Sequence, residues 1–236
     1  MQRYRDLPER QYILFPYEVS GTTVNLVEFR RLAERYPQTA AYLTANRKRL
    51  ESREKEKSKG SKWYGYIYLK NMVRQGTTKI CIPRLVDHLY AAYDVDGRHY
   101  LDNVDVGGTA WQSMYQDQGF PYLLGILNST LLRWYFPFVS APFRGGWMSA
   151  NRQFLSQLPI RLIDFAKPAD KAMHDEMVRL VDQMLALHRQ LAVSGTDREK
   201  SGLQLQIAAL DRAIDSLVFR LYDISPDEVR SIPSSP

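Results

Sequence analysis

The residues best suited to chemistry in this sequence lie between Arg144 and Arg152, and that chemistry is the binding of a polyanion. The residues concerned are Arg144, Gly145, Gly146, Trp147, Asn151 and Arg152. Glycines let a backbone approach phosphate groups closely, and arginines neutralise them. From Gln118 through Ile163 the sequence has no acidic residue to oppose those charges. We predict that this segment contacts nucleic acid, with Trp147 either stacking on a base or packing beneath the loop.

Two further loops carry side chains of the same kind. One is predicted to follow a strand and offers Lys70, Asn71, Arg74, Gln75 and Lys79. The other follows Gly107-Gly108 and offers Trp111 and Gln112. Arginine and lysine suit guanine edges, whereas asparagine and glutamine suit adenine, so the first loop offers both kinds of donor, and the second is a further candidate contact. A solvated hairpin loop would account equally well for the first of them.

Enzymatic chemistry has no comparable signal in the sequence. It contains no glycine-rich phosphate loop, no paired Cys-x-x-Cys and no His-Glu-x-x-His. The four histidines are scattered along the chain at His88, His99, His174 and His188. Cys81 lies between Ile80 and Ile82 on a predicted apolar strand, which indicates a buried thiol rather than a nucleophile. We therefore expect no catalysis by this chain alone and no metal or cofactor bound to it.

Charge is unevenly distributed along the 236 residues, whose net charge is +6. From Arg47 through Lys79, 11 Lys and Arg residues stand against 3 glutamates, which gives +8 (11 − 3). From Ile80 through Thr130, 2 arginines stand against 6 aspartates, which gives −4 (2 − 6). The basic segment favours an anionic partner such as nucleic acid, although a solvated helix rich in Lys and Glu would also explain Arg47–Lys59.

No signal for membrane insertion or secretion occurs in the sequence. It has no run of about 18 apolar residues, which a helical span would need, and its first residues are charged throughout. Because Cys81 is the only cysteine, an intrachain disulfide is impossible. These features predict no membrane partner and a reducing, cytoplasmic location.

The elements that must position these side chains follow from hydrophobic spacing. Helices are predicted over 25–36 and 39–58, strands over 62–69 and 79–83, and a hairpin of 89–95 with 99–104 around Asp96-Gly97. The first strand would carry Tyr64, Tyr66 and Tyr68 on one face, which suits either nucleic acid or, more simply, a half-buried core. Residues 121–162 combine an apolar helix, the arginine-bearing loop and an extended exit at Leu158-Pro159-Ile160.

Two long helices are predicted to follow, with apolar residues at alternating spacings of four and three. These residues are Met173, Met177, Leu180, Met184, Leu187 and Leu191, then Leu203, Ile207, Leu210, Ile214, Leu217 and Leu221. Ser194-Gly195-Thr196 joins the two helices, which predicts an antiparallel helical hairpin. Ser225-Pro226 is typical of the start of a short final helix.

The predicted fold class is α+β: a mixed small β-sheet with packed helices, followed by a C-terminal antiparallel helical hairpin. We divide the chain accordingly into a mixed α/β domain over 1–165 and a helical region over 166–236.

An ordered set of short motifs runs through nearly the whole chain. In chain order they are Leu14-Phe15-Pro16-Tyr17, Tyr36-Pro37, Ala41-Tyr42-Leu43, Leu50-Glu51, Arg53-Glu54, Trp63-Tyr64, Lys79-Ile80, Ile82-Pro83, Tyr122-Leu123-Leu124-Gly125-Ile126-Leu127-Asn128-Ser129, Leu158-Pro159-Ile160 and a final series from Gln206 to Tyr222. In this order and spacing they resemble the TaqI-like C-terminal specificity domain. That domain occurs in adenine-N6 DNA methyltransferases and in fused type IIG restriction–modification enzymes.

The resemblance implies a target-recognition domain over 1–165 that is not catalytic by itself. It would hold double-stranded DNA against a methyltransferase domain or subunit, which binds S-adenosylmethionine and flips the adenine. Because the methyltransferase tetrapeptide does not occur in this sequence, we expect a fragment of a fused enzyme or, as the less favoured alternative, a standalone specificity subunit.

Two other functions remain open from the residues alone. The helical hairpin over 166–236 is predicted to be structural, with docking of a methyltransferase domain or a second subunit as its alternative role. In that case the chain would be a protein-interaction module whose basic surface is incidental. A nuclease is the least supported function, because the sequence offers no constellation of metal ligands.

Overall fold

The computed structural model describes residues 3–5, 12–69, 72–100 and 118–232. Contacts divide the chain into two compact units: a small unit, Glu9–Thr77, and a large unit, Met1–Pro8 with Thr78–Pro236. This division does not coincide with the one predicted at residue 165, and a domain boundary there stays a prediction. Within the described residues no helix is long and apolar enough to cross a membrane.

The small unit combines a β-hairpin with short helices. Its elements are β1 (Tyr17–Ser20), β2 (Thr23–Leu26), α1 (Phe29–Arg35), α2 (Pro37–Ala45), α3 (Arg47–Glu51) and α4 (Met72–Gln75). The two strands pair antiparallel, with Tyr17 opposite Leu26 and Val19 opposite Val24. Gly21 supplies the left-handed backbone of the connecting turn, with φ at 57°.

A compact apolar core stabilises the small unit. Its buried residues are Leu32, Ala40, Leu43, Trp63 and Tyr64. The Phe29 ring lies against both Trp63 and Tyr64, with ring centroids 5.2 and 5.1 Å apart. The Tyr64 hydroxyl is not left unsatisfied, because it donates a hydrogen bond to the Val27 carbonyl at 2.6 Å.

The predicted helices of the small unit differ from those observed in their bounds. Asn25 lies in strand β2, so the helix predicted from that residue begins only at Phe29. The helix predicted over 39–58 begins at Pro37, is interrupted at Asn46 and ends at Glu51. Pro37 begins a helix rather than ending one, because its missing N–H costs nothing at the first helical position.

The strand predicted over 62–69 is wrong, since these residues form a turn followed by bends and irregular backbone. The Arg53 guanidinium donates to the carbonyl oxygens of Trp63 and Gly65, at 3.0 and 2.9 Å. In a strand those carbonyl oxygens would accept hydrogen bonds from the N–H groups of a neighbouring strand. Here the Arg53 guanidinium donates the hydrogen bonds instead. The tyrosines do not share one face, because Tyr64 is buried whereas Tyr68 is exposed.

The large unit has two small antiparallel sheets packed with helices. Its elements are β3 (Lys79–Cys81), β4 (Leu85–Val86), β5 (Ala92–Asp94), α5 (Phe120–Leu127), α6 (Thr130–Val139), β6 (Met148–Ser149), α7 (Arg152–Leu155), α8 (Pro168–Val193), α9 (Asp197–Leu221) and α10 (Pro226–Ser231). Strand β3 pairs with β5, and β4 pairs with β6. The partner predicted for β5 was 99–104, of which residues 101–104 lie outside the described part of the chain.

Helix α5 is the centre of the large core. Gly125 is required there because a Cβ would come within 2.4 Å of the Met177 sulfur on α8. Just after the helix, the Asn128 amide bonds both the N–H and the C=O of Ala91, at 2.8 and 3.0 Å. Ser129 then caps α6 by accepting a hydrogen bond from the Leu132 N–H. These contacts give Asn128 and Ser129 a structural role in joining α5, α6 and the segment at Ala91.

The predicted helical hairpin is confirmed by α8 and α9, which pack against each other. Thr196 begins α9 with a capping box to Glu199. Burial is complete near α5, at Met184 and Ile214 among others, and falls toward the connecting turn, where Leu205 is exposed. Helix α10 starts with the predicted Ser225 cap and Pro226. The α+β class is therefore confirmed, while an assembly role for the hairpin stays a prediction.

Candidate nucleic-acid interface

Residues 140–150 form a hairpin whose two sides are joined by backbone hydrogen bonds. The Ser149 N–H donates to the Ala141 carbonyl at 3.0 Å, and the Phe143 N–H donates to the Trp147 carbonyl at 2.6 Å. Between these bonds the chain turns through a single 3-10 turn. The arginine-bearing segment is therefore a closed hairpin tip with a defined conformation, not a long open loop.

The glycines at this tip are required by its backbone. Gly145 and Gly146 have φ of 69° and 81°, in the left-handed region that side chains with a Cβ rarely adopt. Open space surrounds the Cβ position of Gly146, so crowding is not the reason for the glycine. The conformation turns Arg144 and both glycines out to solvent.

The base of the hairpin is anchored to the core of the large unit. Strand β6 pairs with β4, so that Met148 lies opposite Val86, which is fully buried. The N–H of Ala150, also fully buried, donates to the Arg84 carbonyl at 2.7 Å. A side chain at the exposed tip can reach a ligand, and the anchored base of the hairpin keeps that side chain in a fixed position.

Asn151 and Arg152 lie at the start of helix α7 and have different surroundings. The Asn151 side-chain oxygen accepts from the Gln153 N–H at 3.0 Å and so caps the helix. Arg152 is the first helical residue and is exposed. Asn151 was predicted as a DNA contact. Its side-chain oxygen is used by the helix cap, so only part of the donor capacity of its NH2 group is left for such a contact.

The four arginines of the acid-free segment 118–163 are not equivalent. Arg144 and Arg152 are exposed and form no ion pair with any residue that the structure describes. Arg161 lies 3.5 Å from the Asp170 carboxylate. Arg133 is half-buried, and burial together with nearby Arg3 lowers the pKa of its guanidinium. Only Arg144 and Arg152 therefore present uncompensated charge to solvent.

Exposed aromatic rings occur in the same segment of the sequence, 118–163. Trp147 is 43% exposed and Phe143 54% exposed, one on each side of the hairpin tip. On α6, Trp134 and Phe138 form an exposed T-shaped pair with ring centroids 5.2 Å apart. Sequence reasoning missed Phe143 and the α6 pair; the signal was the i, i+4 spacing of two aromatics in a helix.

Lys79 was predicted as a DNA contact, but its side chain is buried and does not reach the surface. Its side chain is 1% exposed, and its ammonium lies 2.5 Å from the Asp94 carboxylate, which is 2% exposed. Burial raises the pKa of Asp94, but hydrogen bonds from Lys79 and His99 outweigh it and leave the pKa below its ordinary value. Lys79 is a buried structural cation, and we leave it out of the proposed interface.

The remaining predicted contacts are divided between the small unit and the undescribed residues. Arg74 and Gln75 lie on helix α4, where Arg74 is exposed and Gln75 is half-buried. Lys70, Asn71, Trp111 and Gln112 lie outside the described residues. Each of these assignments stays a prediction.

No site for metal or thiol chemistry occurs in the part of the chain that the structure describes. It contains no group of three or more His, Cys, Asp and Glu side chains that could hold a metal ion. Cys81 is fully buried, and burial raises the pKa of its thiol to about 12. A thiol of that kind stays protonated and inert near neutral pH.

The fold and the motifs define a class of protein. Residues 31–160 match the family of TaqI-like C-terminal specificity domains, and the chain belongs to that family. The matched region includes the hairpin tip and stops before α8. One similar protein is the type II restriction enzyme and methyltransferase RM.Eco57I of Escherichia coli, which is 23% identical over 230 residues. That alignment covers 94% of this chain but only 23% of the relative's length.

Proposed function

We propose that this chain recognises a specific double-stranded DNA sequence for a restriction–modification enzyme and does not itself catalyse methylation. The observation that carries the proposal is the hairpin tip. It presents Arg144 to solvent on an anchored base, and Arg152 is exposed just beyond it at the start of helix α7, within a stretch of 46 residues, 118–163, that has no acidic side chain. Membership of the specificity-domain family supports the same function.

The residues of the tip suit different parts of a duplex. Exposed guanidinium groups bind phosphates and, when they reach the major groove, pair bidentately with guanine. The backbone at Gly145 and Gly146 approaches phosphates without a Cβ in the way. Trp147 adds a ring for stacking or for contact with a thymine methyl group.

The proposal extends to the partner that performs the chemistry. The chain spans 23% of the length of a relative whose name includes both a restriction enzyme and a methyltransferase. We infer that this chain works with a methyltransferase domain or subunit that binds S-adenosylmethionine and methylates adenine at N6. We further propose that the pair acts in the cytoplasm.

The test is a charge reversal at the tip. We expect Arg144→Glu with Arg152→Glu to weaken binding to a mixed-sequence duplex at least about tenfold, because two phosphate contacts are lost and two repulsions are added. Fluorescence anisotropy measures the affinity, and circular dichroism confirms that the variant is folded.

The matched control is Arg189→Glu with Arg198→Glu. Both residues are exposed on the helix pair and form no ion pair with any described residue, so the change in net charge is identical. Tip and control variants that bind DNA equally well would place the interface elsewhere.

A further inference from the structure

A cavity of about 440 Å³ lies in the large unit, and Trp147 of the hairpin tip lines it. Its volume falls in the range of roughly 300–1,000 Å³ that is typical of small-molecule sites. Other lining residues come from distant parts of the chain, such as Asp87, which follows β4, and Ile207 on α9. The cavity therefore depends on the tertiary fold and adjoins the proposed DNA-binding tip.

Much of the lining is aromatic. His88 and Tyr90 lie against each other with ring centroids 5.2 Å apart, and the buried Tyr4 ring stacks on His188 at 6.4 Å with an interplanar angle of 17°. Together with Trp147, these rings offer flat surfaces for a planar ligand. Stacking between a base and an aromatic side chain contributes about 1–3 kcal/mol per base.

The charged residues of the lining balance one another. Arg3 and Arg5 carry two positive charges, and Asp87 and Asp211 carry two negative charges. The Arg3 guanidinium is already 2.5 Å from the Asp211 carboxylate. A lining of zero net formal charge does not favour a phosphate group, but it offers both donors and acceptors to an uncharged polar ligand.

The polar groups near the mouth suit a base edge. The Asp87 carboxylate is exposed; its Oδ1 lies 2.9 Å from the His88 Nδ1 and accepts a hydrogen bond from the His88 backbone N–H, so its Oδ2 is the oxygen left to accept from the exocyclic amino group of a base. Burial, together with the charges of Arg133 and Arg3, lowers the pKa of His88. With its Nδ1 directed at Asp87, a neutral His88 ring has its Nε2 left to accept a hydrogen bond from a ligand.

We propose that this cavity binds a single unstacked nucleobase with an exocyclic amino group, adenine or cytosine, held between Trp147 and the His88–Tyr90 pair. The preferred source is an extrahelical nucleotide of the DNA bound at the hairpin tip, so this part of the inference rests on the proposed function. A free nucleoside has the same chemistry, and the test separates the two sources.

Duplexes with one bulged base test the DNA source, because a bulged base needs no unpairing before it enters the cavity. We expect the protein to bind a mixed-sequence duplex with one bulged adenine at least about fivefold more tightly than the fully paired duplex. A bulged thymine should gain less, since it lacks an amino group. Anisotropy gives the three dissociation constants.

Two variants connect the effect to the cavity. Ile207→Phe narrows the cavity from α9, and His88→Ala removes one stacking surface; both should abolish the preference for bulged adenine while affinity for the paired duplex is kept. Leu205→Phe, exposed on the same helix, is the matched control and should keep the preference. The Arg144→Glu/Arg152→Glu variant should weaken binding to all duplexes and leave their ratio unchanged.

Saturation-transfer NMR with adenosine, cytidine and thymidine tests the cavity without DNA. Adenosine and cytidine signals that disappear in Ile207→Phe support the base-binding cavity even if duplex binding fails. Such signals without a bulge preference would assign the cavity to a free nucleoside and overturn the extrahelical source. The proposal is overturned if the protein gives no nucleoside signal and shows no preference for a bulged base. It is also overturned if Ile207→Phe and His88→Ala both retain the preference for bulged adenine.

Discussion

Replacing Lys79 with methionine separates a structural role from a DNA-binding one. The Lys79–Asp94 pair is almost fully buried, and removing one partner of such a pair typically costs about 3–5 kcal/mol. Asp94 would keep its hydrogen bonds from the backbone N–H groups of Arg98 and His99, at 3.1 and 3.0 Å. We therefore expect Lys79→Met to lower the free energy of unfolding by about 3 kcal/mol, the lower end of that range. This is a large share of the roughly 5–15 kcal/mol stability of a domain.

Urea unfolding followed by circular dichroism measures this loss, with Lys62→Met as the control. Lys62 is an exposed lysine, so its replacement should change stability by less than about 0.5 kcal/mol. Under conditions where both variants are folded, neither should change affinity for a mixed-sequence duplex more than about twofold, which is about 0.4 kcal/mol and lies within the roughly 0–1 kcal/mol range of exposed charge effects. Unchanged stability together with weaker DNA binding by Lys79→Met would refute the structural assignment.

The pH dependence adds an independent check on the same pair. Because the pKa of Asp94 is lowered on folding, its stabilising contribution is present above the ordinary carboxyl pKa of 3.8 and is lost as pH falls through the lowered value. Lys79→Met loses the lysine hydrogen bond that lowers this pKa while burial still raises it, so Asp94 in the variant should bind a proton at higher pH than in the wild type. Protonation removes the buried unpaired charge of the variant, and the difference in unfolding free energy between the two proteins should narrow as the pH falls toward 3.8. A difference in unfolding free energy that stays constant or widens as the pH falls from neutral to 3.8 would contradict the assigned pairing.

Two further substitutions test the packing around helix α5 in the large unit. Gly125→Ala should destabilise the protein by about 1–3 kcal/mol, since the new Cβ would meet the Met177 sulfur at 2.4 Å. A thermal melt unchanged from wild type would contradict this and would show that the Met177 side chain moves aside without loss of stability. Asn128→Ala should lower the free energy of unfolding, measured by chemical denaturation, by about 1–3 kcal/mol, because it leaves the buried N–H and C=O of Ala91 without their partner. Gln157→Ala removes an exposed amide and should change the free energy of unfolding little.

Features encoded by neighbouring residues could be predicted from the sequence. The helix pair α8–α9 and the Ser225-Pro226 helix start depend on spacing and capping within a few residues, and the structure has both. The family was recognised for a similar reason, because its short motifs keep their order along the chain. The strand predicted over 62–69 failed because strand formation needs a partner, and Arg53 bonds the carbonyl groups instead.

Features that depend on distant contacts could not be predicted in this way. Lys79 resembles the exposed lysines before it in sequence, and only the pairing of β3 with β5 brings it to Asp94 and buries it. The cavity beside Trp147 combines residues as far apart as Tyr4 and Asp211, so no local pattern marks it. Asn151 was recognised as polar, but its use as a helix cap required the position of α7.

The salt dependence of DNA binding tests the central claim most directly, that Arg144 and Arg152 contact DNA phosphates. For each phosphate contact, the slope of log K against log salt changes by about 0.9. The Arg144→Glu/Arg152→Glu variant should therefore lose about 1.8 from the wild-type slope, whereas Arg189→Glu/Arg198→Glu should stay close to the wild-type slope. Equal slopes for the wild type and the tip variant would contradict the claim.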